Sequence, residues 1–135
     1  MAKSALYAAN ISNQTVAVDG VINPGTIIRR FGPNINLSGN AIQISGPGYY
    51  EINISVTAAP TEAGEVTITL YKDGVVLQGA TASETGAAAG DLVNLSISTM
   101  IREFCSCCDG LSNLTLVLTG VNSNITNIAT TVEKL

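Results

Sequence analysis

The sequence has no histidine and no tryptophan, only four tyrosines and two phenylalanines, and charged side chains at just 12%. That last share is about half the usual one. Without histidine, the Ser-His-Asp and Cys-His forms of nucleophilic catalysis are closed off, as is the commonest transition-metal ligand. The ten acidic residues form no close local motif, and none fits an Asp-x-Asp-x-Asp-Gly calcium loop. A glycosidase-type carboxylate pair brought together by folding is the one catalytic route left open. The expectation is therefore a protein that is not an enzyme and carries no cofactor or metal. Basic residues are equally thin. The net charge is -4, and Arg29 and Arg30 are the only adjacent pair, which is no patch for phosphates, so nucleic acid is excluded as a partner. No apolar run approaches the roughly 18 residues of a membrane span, so membrane insertion is not expected. Met1-Ala2-Lys3-Ser4 leads directly into Ala5-Leu6-Tyr7-Ala8-Ala9, too short for the apolar core of a signal peptide. Synthesis in the cytoplasm without a signal peptide is the expectation.

What is present is apolar and regularly punctuated. Residues 1–135 suit a single domain with one core, and 46% of them are hydrophobic. With so few charges, much of the exposed surface must be Ser, Thr, Asn, Gly and small apolar side chains. Such a surface suits a tight assembly or an extracellular shell, with protein or carbohydrate as partner. Between Gly, Pro and Asn breaks the chain alternates with period two. Tyr50, Ile52, Ile54, Val56 and Ala58 share one face, opposite Tyr49, Glu51, Asn53, Ser55 and Thr57; Pro60 ends the run. Val66, Ile68 and Leu70 alternate with Thr67, Thr69 and Tyr71, and Asp73-Gly74 marks a tight hairpin turn because both residues tolerate positive φ. Val93 to Ile101, Leu114 to Thr119 and Ile125 to Leu135 repeat the pattern. Thr15–Val18, Thr26–Ile28 and Ala41–Ile44 read as shorter strands. About ten strands and no helix predict an all-β, two-sheet antiparallel sandwich, since nearly every strand has one apolar face needing cover. The small-residue stretch Gly79 to Gly90 reads as a loop rather than a closely packed strand.

The segments Gly39-Asn40-Ala41-Ile42-Gln43-Ile44, Gly46-Pro47-Gly48-Tyr49-Tyr50-Glu51-Ile52 and the Leu70-Tyr71-Lys72-Asp73-Gly74 hairpin, in this order, resemble the tumour-necrosis-factor-like and complement-head-like jelly rolls of bacteria. The likeness is greatest to the C-terminal heads of collagen-like exosporium glycoproteins (BclA-like). It extends over nearly the whole chain, through motifs that recur across the broader superfamily. The resemblance implies a ten-stranded jelly roll forming a compact homotrimer around an apolar axis, without catalytic residues. It also implies display on a spore surface or exosporium, or decoration of a phage capsid or virion. Possible partners beyond the chain itself are a spore or capsid protein lattice or a glycan. Members often carry a Gly-x-y stalk, which is missing here, so the head is expected to be the entire product. An adhesion head that binds a carbohydrate or receptor is the alternative.

Leu6, Ile128 and Val132 are the candidates for the trimer interface. For surface binding the candidates are Arg29, Arg30, Tyr7, Tyr49 and Tyr71, the tyrosines as a sugar-stacking platform if they gather on one face. The blander readings are a solvated or intersubunit-paired arginine couple, and tyrosines at the edge of the core. Cys105, Cys107 and Cys108 lie within four residues. A closed zinc site lacks its fourth ligand in one subunit, which leaves reduced thiols or, after release into an oxidising setting, interchain disulfides. The Asn-x-Ser/Thr triplets follow from a composition rich in those residues and carry no argument.

Overall fold

A computed structural model describes residues 3–103 and 111–135, and the alternation becomes eleven strands with no helix among the described residues. In chain order these are β1 (Ala5–Asn10), β2 (Gln14–Val16), β3 (Thr26–Phe31), β4 (Ile35–Ser38), β5 (Ala41–Ser45), β6 (Gly48–Pro60), β7 (Gly64–Lys72), β8 (Val75–Gly86), β9 (Val93–Glu103), β10 (Leu111–Gly120) and β11 (Ser123–Lys134). They pair antiparallel into two sheets. One is six-stranded, β3-β1-β11-β6-β9 with β2 added along β11; the other is β4-β5-β10-β7-β8. Neighbours far apart in sequence, such as β1 with β11 and β5 with β10, mark the crossing connections of a jelly roll.

The apolar side of each strand turns between the sheets. Tyr50, Ile52, Ile54, Val56 and Ala58 of β6 are buried, opposite Val66, Ile68 and Leu70 of β7 and Leu114, Leu116 and Leu118 of β10. Each such aliphatic side chain contributes roughly 1.5–3 kcal/mol by leaving water. A bulge between Ile125 and Asn127 inserts one residue into β11. It lets Ile125 and Ile128, three apart, both face inward, and the alternation then resumes through Thr130 and Val132.

Turn chemistry holds where it was legible. Asp73 and Gly74 take φ of 52° and 81°, the left-handed pair a type I′ hairpin needs. The turn is also tied to β10, because Asp73 exchanges backbone and side-chain hydrogen bonds with Asn113 at 2.8 and 2.9 Å. Gly120, at φ 95°, ends β10 where a Cβ would run into the Glu65 carbonyl oxygen.

Two expectations are corrected, and one strand joins those expected. The stretch from Gly79 is not a loop as far as Gly86: it is the second half of β8, registered Thr81 to Thr69 and Ser83 to Thr67. Its inward positions hold Ala80 and Gly86, both buried, and small side chains conceal the alternation. Ile35–Ser38 adds a strand to the expected ten. Leu6, Ile128 and Val132 are not interface residues. They are 2%, 1% and 1% exposed within one chain, spent on the core between the sheets, so no surface is left for a neighbour.

The end of the sandwich where Ser4 and Lys134 meet is closed by polar contacts. Asn34 Oδ1 accepts from Ser4 Oγ at 3.0 Å and from Lys134 Nζ at 3.4 Å, while its Nδ2 donates to the Ser45 carbonyl at 2.7 Å. Beside it the buried Tyr50 hydroxyl lies 2.9 Å from the carbonyls of Ser45 and Gly46, to which it donates. Burial, reinforced by the negative charge of Glu103, pushes the Tyr50 phenol from 10.0 up to about 12.

Candidate functional site

Because β1, β6, β9 and β11 spend their apolar side chains on the core, their other side chains form the outward face of the six-stranded sheet. The pairing register arranges that face in rows. Phe31, Ala5, Glu133, Glu51 and Met100 lie side by side across β3, β1, β11, β6 and β9; Arg29, Tyr7, Thr131, Asn53 and Ser98 form the next row. Beyond them come Ala9, Ala129, Ser55 and Ser96. The middle of the face is thus a floor of short side chains, rimmed by exposed apolar groups: Tyr7 at 37%, Phe31 at 62% and Met100 at 54%.

Two depressions mark this face. One of about 300 Å³ runs between Tyr7, Arg29 and Phe31 on one side and Glu51 and Glu133 on the other. The second, about 360 Å³, lies over Ser55, Ser96, Ser98 and Ala129. They share Asn53 and Thr131 and so form one continuous groove across the sheet. Its floor is hydrogen-bonded: Ser98 Oγ donates to Asn53 Oδ1, and Asn53 Nδ2 donates to Glu51 Oε1 at 3.3 Å. Glu51 and Glu133 are directly opposed in register, and the one ion pair among the described residues is Lys72 with Asp73 at 3.9 Å.

The expected binding residues divide. Tyr7, Arg29 and Arg30 all border the groove, but differently. Arg30, one position on, turns its Nε to the Ile35 carbonyl at 2.6 Å and ties β3 to β4, since adjacent strand residues point to opposite faces. The tyrosines do not gather: Tyr49 lies on β6 under the Arg102 guanidinium, 5.6 Å from the ring centre, and Tyr71 belongs to β7 in the other sheet. A shared stacking platform is therefore not formed. Cys105, Cys107 and Cys108 lie outside the described residues. Glu51 and Glu133 escaped notice as a site because only strand register brings them together.

No family model and no curated sequence matches the chain. Solved structures do match in fold. The Eiger TNF of S. frugiperda superposes with a TM-score of 0.74 at 10% identity, covering 98% of this chain and 91% of that one. The globular domain of zebrafish complement 1qA protein gives 0.69 at 6%, over 94% of each chain. The PRD1 vertex protein P5 gives 0.55 at 14%, over 98% and 96%. The chain is thus an all-β jelly roll of the TNF-like and complement-head-like fold.

Proposed function

We propose that the chain is the subunit of a non-enzymatic homotrimeric head, displayed on a bacterial spore or phage surface, with the outward face of its six-stranded sheet buried between copies. The observation that carries this reading is that face. Its floor of Ser, Ala and Thr allows a second backbone to approach closely, and its rim of Tyr7, Phe31 and Met100 is apolar surface a lone subunit leaves in water. The trimer is what likeness to TNF and complement heads implies, and closed cyclic symmetry suits it. The fold shared with a vertex protein and the sparse surface charge support the setting on a particle.

Native mass by light scattering tests it. Three subunits of 13.9 kDa give about 42 kDa, with an interface near 800 Å² per partner. A monomer at micromolar concentration refutes the reading. Repeating the measurement with reductant shows whether Cys105, Cys107 and Cys108 link subunits. A carbohydrate-binding head is the second reading, favoured by Tyr7 and Phe31 exposed beside Arg29 along the groove; saturable binding on a glycan array by the intact assembly would support it.

A further inference from the structure

The outward face carries a charge arrangement that a single subunit leaves unresolved. Glu51 and Glu133 occupy directly paired positions on β6 and β11, where like charges destabilise a sheet. Asn53 gives Glu51 one neutral hydrogen bond, and no cation lies within ion-pair distance of either carboxylate among the described residues. Water screens the repulsion while the face is exposed. Covering the face lowers the effective dielectric from about 80 towards 20 and makes the same repulsion roughly fourfold stronger. Whatever covers this face must therefore bring positive charge with it.

The chain holds a matching group. On the same face Arg29 has neither an ion pair nor a side-chain hydrogen bond among the described residues. The other arginine of the face, Arg102, stacks on Tyr49. Arg29 belongs to β3, an edge strand whose six residues are all exposed in one subunit, Ile28 and Phe31 among them. An acid pair at the centre of a face and an uncommitted arginine at its edge are complementary between copies. In a closed ring, a subunit that presents its Arg29 edge to one neighbour presents its acid pair to the other, which matches every pair.

We propose that Arg29 of one copy docks onto the Glu51–Glu133 pair of the next, so that the assembly is held by ion pairs a lone subunit does not make. This rests on the trimeric reading above. Light scattering over a dilution series on wild type, R29E and E51Q/E133Q tests it. In both variants the concentration at which trimers half-dissociate rises at least about tenfold, wild type weakens as salt is raised, and R29E/E51R/E133R recovers assembly. Thermal unfolding of the dilute monomer separates assembly from folding. There E51Q/E133Q melts no lower than wild type, because no ion pair among the described residues is lost, although it assembles less well. A wild-type monomer overturns the trimeric reading itself. A wild-type trimer whose dissociation is unmoved in R29E overturns the Arg29 contact while leaving that reading intact. The same holds if R29E changes only the melting of the monomer, which is the signature of pairing within one chain.

Discussion

Replacing Tyr50 by phenylalanine removes one oxygen from the closed end of the sandwich and should have two separable effects. The ring is fully buried among the core side chains, and phenylalanine fills the same space, so packing is unchanged. What is lost is the donor to the Ser45 and Gly46 carbonyls, each 2.9 Å away. Ser45 keeps a donor in Asn34 Nδ2; Gly46 loses the phenol. Losing a hydrogen bond at this part-buried site costs about 0.5–1.5 kcal/mol. With a urea slope of about 2 kcal/mol per molar, the unfolding midpoint should drop by roughly 0.3–0.8 M. The second effect is alkaline. An exposed tyrosine ionises near 10.0, whereas the folded subunit holds the Tyr50 proton to about 12. As pH rises the unfolded chain loses this proton first, so the group's contribution is complete below about pH 10 and declines between 10 and 12. Urea unfolding followed by circular dichroism at pH 8, 10 and 11.5 measures both. Wild type should lose stability over that interval, and Tyr50→Phe should lose less. A variant as stable as wild type at pH 8, with an identical alkaline slope, would refute the assigned role of the hydroxyl.

Two further substitutions probe the frame. Gly120→Ala should lower stability by about 2 kcal/mol or more, read by thermal melting, because a Cβ at φ 95° is strained and meets the Glu65 carbonyl. Asn34→Ala should cost about 1–2 kcal/mol. It should also speed amide exchange at both ends of the chain, since Asn34 joins Ser4, Ser45 and Lys134.

Much of the architecture was legible in the chain itself. Period-two alternation identifies the inward side of β6, β7, β9 and β10, because side chains of a strand must point alternately to opposite faces. Asp73-Gly74 names its own turn. Absent histidine and scattered acids narrow the chemistry before any fold is known. Where alternation is carried by Ala, Gly and Thr, as in β8, hydropathy contrast fades and the strand is unreadable. Leu6, Ile128 and Val132 show a different limit: an apolar position announces burial without saying whether another sheet or another subunit supplies the cover. Register, face and partner strand are long-range properties. The opposition of Glu51 to Glu133, the separation of Arg29 from Arg30 across one edge strand, and the groove between Tyr7 and the acid pair come into being only when β1, β11 and β6 pair. No local propensity encodes that pairing; it follows from burying all the apolar faces in one core at once.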